Sequence, residues 1–302
     1  KIVVDNRYFF KNIENHQILF ELVADGVVVD RYMTKINLHP QNTKLIDNPF
    51  MNNSFSNYLE YFINVYLYSE NDSPLIGSNH VLSRNQIFLK SAILVDKEIK
   101  NSKRFKIKED DNEIKLLNND VEIVFNKLDG EFKKYDVNGI GLIKSSPYLN
   151  FWRAPIDNDY GNGLPERSAA WKIASKQRSF IDLTIEKLGK TIAIKTNYKL
   201  KNIKSDYSIR YLVHPNGKIE VFAKFNYGGN LKDAEMPRFG INFNIPAQFD
   251  NAIWYGRGPH ENYIDRKSSA FVGYYESTVD NLKFDYSRPQ ENGYRTENRW
   301  LQ

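Results

Sequence analysis

Cysteine is absent from the 302 residues. That excludes a disulfide framework, a thiolate nucleophile and a cysteine zinc site, and it leaves the redox compartment open. Long hydrophobic runs are also missing: no apolar stretch approaches the roughly eighteen residues of a membrane span. Lys1 leads straight into Ile2-Val3-Val4 without the charged, apolar and small-residue succession of a secretory leader, and the first residue is not Met. Such a start reads as a piece cut from a longer protein or as a processed terminus. Charge of one sign is scarce as well, because 42 basic against 37 acidic side chains leave only +5. Spread along the chain, that excess does not mark a nucleic-acid binder. There is no G-x-S-x-G elbow, phosphate-binding loop or dinucleotide glycine pattern. His16, His39, His80 and His214 are singletons without metal-ligand spacing.

What is present is aromatic: 19 Tyr, 19 Phe and 4 Trp make 14% of the chain. These residues favour pleated, half-buried surfaces over helices. Gln17 to Met33 reads as two apolar runs joined by Asp25-Gly26, the pair that a tight hairpin needs because both central residues take positive φ. Strands continue over 58–68 and 86–92. The stretch 96–113 is dominated by charge of both signs and reads as a linker or solvated edge strand, so the first domain ends near residue 100. Beyond it, turn signals recur at Asn118-Asn119-Asp120, Asp129-Gly130, Asn138-Gly139, Gly189-Lys190 and Pro215-Asn216-Gly217. Only 166–177 has helical composition, with Pro165 placed for a first turn. The expectation is an all-β chain of two domains. Residues 1–100 have the size of an immunoglobulin-like sandwich, 101–112 form the linker or edge strand, and 113–302 form a larger sheet pair.

Two segments crowd polar groups between aromatics. In FWRAPIDNDYGNG, 151–163, Asp157 and Asp159 would share a face about 6.6 Å apart if extended. That suits the spacing of an inverting glycosidase pair, but acids on one loop approach a sugar from one side only. A calcium loop is the other sharp reading, and it fails because Ser168 stands where the bidentate Glu belongs. The structural reading has Arg153 pairing with these carboxylates to pin an irregular turn. In WYGRGPHENYIDR, 254–266, His260 and Glu261 are neighbours and in a strand would point to opposite faces. Glu261, Tyr263 and Asp265 would then lie on one face, and Asn262 and Ile264 on the other. Trp254, His260, Glu261, Tyr263, Asp265 and Arg266 join Arg153, Asp157 and Asp159 as candidates either to face a carbohydrate or to form a structural network. Of these, Arg153, Asp157, Asp159, Glu261, Asp265 and Arg266 are expected to meet as a network at one end of the larger sandwich, with Glu235 nearby. RPQENGYR, 288–295, alone reads as a charged turn.

The series RAPIDND (153–159), MPRFGINFNI (236–245), WYGRGPHENYIDR (254–266) and PQENGYR (289–295) resembles, in order and spacing, the C-terminal part of glycoside hydrolase family 2 β-galactosidases of the long, five-domain type. The upstream stretch ELVADGVVVDRYMTKINLHP is similar to the fourth, immunoglobulin-like domain of that family. The resemblance covers nearly the whole chain. It implies an immunoglobulin-like β-sandwich followed by a supersandwich of the galactose mutarotase-like type, C-terminally incomplete, which is the β-galactosidase small chain. It further implies that the catalytic glutamates, magnesium ligands and galactose-binding residues come mainly from a preceding TIM barrel, which nothing here matches. On that reading no residue of this chain is catalytic. The resemblance implies a sodium ion held partly by the carbonyls at Arg288 and Pro289, with the remaining ligands beyond the matched region. It also implies partners in the preceding barrel and N-terminal domains, contact with a galactoside substrate through the whole enzyme, a homo-oligomer, and a bacterial cytoplasmic or periplasmic setting. Neither a nucleic acid nor a membrane is expected as a partner. At His260 the best-known members carry glutamine.

Two other readings compete. A free-standing carbohydrate-binding module needs an exposed aromatic platform, for which Trp152, Trp171, Trp254 and Tyr263 are candidates. An aldose mutarotase needs a facing His and Glu, and His214 or His260 with Glu291 supply the residue types.

Overall fold

The computed structural model describes residues 1–51, 59–70, 75–77, 79–91, 104–229 and 235–302. Six strands come first: β1 (Ile2–Asp5), β2 (Ile13–Ala24), β3 (Val27–Leu38), β4 (Thr43–Ile46), β5 (Glu60–Tyr68) and β6 (Val81–Ser91). Then follow β7 (Lys106–Glu109), β8 (Glu113–Leu117), β9 (Val121–Asn126), β10 (Phe132–Val137), β11 (Ile140–Gly141) and β12 (Tyr148–Asn150). Three short helices, α1 (Asp157–Gly161), α2 (Leu164–Arg167) and α3 (Ala169–Lys176), separate these from β13 (Ser179–Leu188), β14 (Thr191–Leu200), β15 (Ser205–Val213), β16 (Ile219–Asn226) and β17 (Gly240–Asn242). The last strands are β18 (Asn251–Gly258), β19 (Phe271–Thr278) and β20 (Trp300–Leu301). The chain is all-β, as its aromatic and β-branched runs dictate.

The turn residues fall where the sequence requires. Asp25 and Gly26, with φ of 47° and 86°, join β2 to β3 in an antiparallel hairpin. The Asp25 carboxylate also accepts the N–H groups of Leu59 at 3.1 Å and Glu60 at 2.8 Å. Gly26 is obligatory for a second reason, because a Cβ there would lie 2.7 Å from the Tyr274 nitrogen. The signals at 118–120, 129–130, 138–139, 189–190 and 215–217 each connect consecutive antiparallel strands between β8 and β16. Pro165 sits in the first turn of α2. Helix also forms at α1, outside the 166–177 stretch to which it was expected to be confined.

By packing, the chain divides into two units. The first comprises Lys1–Asp96, Asp250–Asp285 and Asn292–Gln302, and the second Lys97–Phe249 and Tyr286–Glu291. This differs from the linear division expected from the sequence, since 250–285 and 292–302 group with the first hundred residues. The expected boundary near residue 100, the far end of the strand over 86–92 and the start of the charged stretch lie outside the described residues. The described part of that stretch forms β7, the edge strand of a five-stranded sheet.

In the first unit, the sheet β3-β2-β5-β6 presents Ile18, Phe20 and Leu22 of β2 and Ile63 of β5 to a core shared with Ile2, Ile36 and Phe50. A smaller cluster joins Val23 and Phe62 to Tyr255 and Val272 of the β19-β18-β20 sheet. The second unit holds the sheets β11-β10-β9-β8-β7 and β13-β14-β15-β16 and the pair β12-β17. Alternation is cleanest in β15, where Ser205, Tyr207, Ile209, Tyr211 and Val213 are buried and the residues between them are not. That period of two is what a half-buried strand demands. Its inward side chains pack in one cluster with Ile194 and Tyr198 of β14, Leu116 of β8, Phe125 of β9 and Trp171 of α3.

Candidate functional site

Among the described residues three acidic side chains are buried: Asp159, Glu261 and Glu291. A buried carboxylate must be paired and hydrogen-bonded or it neutralises itself. All three solve this the same way, with one guanidinium and one main-chain N–H.

Asp159 lies in α1. One of its oxygens accepts the Arg153 Nη1 at 2.5 Å and the Ile156 N–H at 2.8 Å, while the other accepts Arg153 Nη2 at 3.1 Å. The bond to Ile156 explains the helix, because an acceptor at the third position that reaches back to the cap N–H favours a helical first turn over extended chain. As a consequence Asp157 and Asp159 do not share a face, and the paired-acid geometry disappears. Burial pushes the Asp159 carboxyl upward, but the hydrogen bonds from Arg153 and Ile156 and the charges of Arg153 and Arg167 outweigh it and hold the group below its ordinary value. Asp157 is exposed and instead stands 3.4 Å from Arg288.

Glu291 bridges the same unit. It accepts the Ala154 N–H at 3.0 Å and an Arg238 Nη at 2.5 Å, tying the 288–291 turn to the segment that carries Arg153. Glu235 takes a different arginine, Arg167, at 2.6 Å, and that partner draws its carboxyl down to about 2.

Glu261 belongs to the first unit, where it accepts Arg266 at 3.1 Å and the Gly293 N–H at 2.9 Å. The expected alternation through 261–265 does not occur. Glu261 and Asn262 are both buried, Ile264 is 83% exposed, and Tyr263 and Arg266 exchange backbone hydrogen bonds in a tight turn. Asp265 sits exposed in that turn. Within the second unit Arg153 pairs with Asp159 and Arg288 with Asp157, and within the first Arg266 pairs with Glu261.

Asn262 was missed in the sequence and is a hub. Fully buried, it accepts the Thr296 N–H at 2.9 Å and hydroxyl at 2.6 Å, and donates to the His260 carbonyl at 3.1 Å. Asn262→Ala should cost about 2 kcal/mol, since it strands buried donors and acceptors. A circular-dichroism melt of that variant against the parent chain checks it, and an unchanged melt would deny the hub its role.

The aromatic candidates divide. Trp171 and Trp254 are 3% and 2% exposed, so neither offers a platform. The Trp254 indole donates to the Arg257 carbonyl at 3.1 Å, and its ring lies 5.0 Å under the Arg295 guanidinium. Trp152 is half-buried, with Lys172 5.6 Å from its ring centroid. Tyr263 stacks on Tyr294 at 5.4 Å. Of the histidines, His214 stands 3.1 Å from Glu220, and His260 contacts the Ser269 hydroxyl at 3.0 Å. Glu291 is held by Arg238 and the Ala154 N–H. Among the described residues no group of three or more His, Cys, Asp or Glu side chains converges as a metal site.

The pattern is that of an all-β chain whose buried carboxylates pin loops. The sequence matches the β-galactosidase small chain family over residues 117–302, and domain 4 of β-galactosidase over residues 2–90. The chain belongs to the β-galactosidase small chain family. It is similar to the β-galactosidase of Priestia megaterium, at 25% identity over 301 residues that cover 99% of this chain and 29% of the relative. Similarity to that of Pseudoalteromonas haloplanktis is 28% over 318 residues, covering 98% and 30%. The β-galactosidase of Lactobacillus delbrueckii subsp. bulgaricus is 33% identical over 206 residues, covering 68% of this chain and 20% of the relative. The chain therefore spans about three tenths of the length of the full-coverage relatives.

Proposed function

We propose that the chain is a non-catalytic scaffold region of a β-galactosidase that hydrolyses terminal β-galactosides with retention, the reacting groups being supplied by other domains. The observation that carries this reading is the state of the buried carboxylates. A retaining glycosidase needs two carboxyl groups about 5 to 5.5 Å apart on opposite sides of the bond, one of them able to hold a proton. Asp159 is held ionised by Arg153. Glu261 and Glu291 are each tied to an arginine and a main-chain N–H. Such contacts brace irregular backbone.

The preceding barrel and N-terminal domains are the partners this role requires, and the galactoside reaches the chain only through them. Magnesium belongs with those domains. The carbonyls of Arg288 and Pro289, on exposed residues, would supply only part of a sodium shell. The carbohydrate-binding alternative loses Trp171 and Trp254 to the core, which leaves Trp152 and the Tyr263–Tyr294 stack.

The chain alone should not release nitrophenol from nitrophenyl β-galactoside. A steady-state assay at high protein concentration checks this. Turnover that vanished on Asp157→Asn would overturn the proposal and restore the acidic segment as a site.

A further inference from the structure

Within the first unit a cavity of about 180 Å³ opens between the β2–β6 strands and the β18–β19 hairpin. At roughly 30 Å³ per water it has the volume of about six waters, below the usual range for drug-sized ligands. That leaves room for one six-membered ring bearing a small substituent. Its walls combine a cation, aromatic rings and bare main chain. Arg84 lies over the Phe271 ring at 5.4 Å and donates one Nη to the Ser269 carbonyl at 3.0 Å. Tyr66 and Tyr275 line it as well, and Gly26, Gly258 and Gly273 contribute backbone without side chains.

Arg84 is the unusual element. Among the described residues that line the cavity, Asn64 accepts Gln86 at 2.9 Å, and Gln86, itself outside the lining, is bonded in turn to both the N–H and the carbonyl of Val272. Arg84 has no carboxylate partner among them. The nearby His260 imidazole does not add charge at neutral pH, since burial, followed by the Arg84, Arg266 and Arg295 charges, lowers its proton affinity despite Glu261. The cavity thus has one fixed positive charge, a fork with donors to spare, and aromatic faces at its sides. A guanidinium fork matches a carboxylate in two parallel hydrogen bonds, and it does so best where rings exclude water on either side.

We propose that this cavity binds a small carboxylate, up to a single-ring sugar acid in size, with the carboxylate on the free edge of Arg84 and the ring against Tyr66 and Tyr275. The site is independent of whether the chain takes part in galactoside hydrolysis.

The test is a titration of the isotopically labelled 302-residue chain with sodium galacturonate, followed by the amide resonances of Gly26, Gly258 and Gly273. Sodium acetate and galactose serve as comparison arms. The expected result is a saturable shift of these three signals with galacturonate, a weaker one with acetate, and none with galactose. Arg84→Gln, an exposed substitution whose melting temperature should match the parent, should weaken galacturonate binding at least tenfold. No saturable shift at tens of millimolar, equal binding by Arg84→Gln, or equal binding of galactose would each overturn the proposal.

Discussion

Arg153→Ala is expected to lower the stability of the second unit by about 3 kcal/mol, the range for breaking a buried ion pair by removing one partner. The Asp159 side chain is 7% exposed and that of Arg153 21%. Once the guanidinium is gone, the carboxylate is left desolvated with only the Ile156 N–H, and it must either take up a proton or draw water into the loop. The loss corresponds to a fall in melting temperature of roughly 6 to 12 °C for a unit of this size. Arg153→Lys should recover only part of it, because an ammonium cannot grip both oxygens of Asp159 as the fork does. Thermal melts with and without galactose separate bracing from binding. A brace predicts the same loss in both, whereas a sugar site predicts a small loss without galactose and a lost response to it. A variant as stable as the parent in both would show that Arg153 does neither.

The sequence made the local features legible and left most of the tertiary ones hidden. Every turn read from Asn, Asp and Gly signals joins consecutive strands, because positive φ, or at 118–120 the Asn118 side chain accepting the Asp120 and Val121 N–H groups, is a local property that needs no distant partner. The alternation in β15 is legible for the same reason. The α1 helix was not, since what decides between helix and extended chain at 157–161 is a bond from Asp159 back to Ile156 that composition does not reveal. Asn262 was invisible for a related cause: its neighbours Glu261 and Tyr263 look like better functional residues, and its worth depends on Thr296, thirty-four positions away.

The arginine assignments show the same limit. Asp157 and the nearby Glu235 were expected to share one network with Arg153 and Arg266, yet Asp157 takes Arg288 and Glu235 takes Arg167. Charge type predicts that a carboxylate will find a guanidinium. Which one it finds depends on how the loops close, and that is set by the sheets beneath them. Residues 250–285 grouping with the first unit is the largest instance, because no linker composition marks the change near residue 250.

Raising the pH from 10 to 12 should unfold the second unit cooperatively. Tyr198, Tyr207 and Tyr211 are at most 4% exposed in one aromatic core. Tyr198 stacks on Tyr207 at 4.9 Å, and Tyr211 packs against Phe125 at 5.1 Å. Burial raises all three hydroxyls from the ordinary 10.0, Tyr198 to about 12 and the other two beyond it, and the Arg178 charge opposes this only weakly. Below pH 10 the hydroxyls are neutral in the folded and unfolded chain alike, so their stabilising contribution is fully present. Between 10 and 12 the unfolded chain ionises and the folded one does not, so stability falls with each step in pH. By pH 12 the Tyr198 contribution is lost, a change on the order of 3 kcal/mol. The measurement is urea unfolding at a series of pH values, with tyrosinate absorbance followed in parallel. The midpoint should drop steeply across this window, and the last tyrosinate signal should rise together with the loss of near-ultraviolet dichroism. Tyr198→Phe gives up the 2.9 Å bond to the Gly130 carbonyl, at about 1 kcal/mol near neutrality, and should soften the alkaline drop. If instead all tyrosines ionised gradually while the fold persisted past pH 12, the three hydroxyls would have to be in contact with solvent, and the packing of β14 and β15 described above would be wrong.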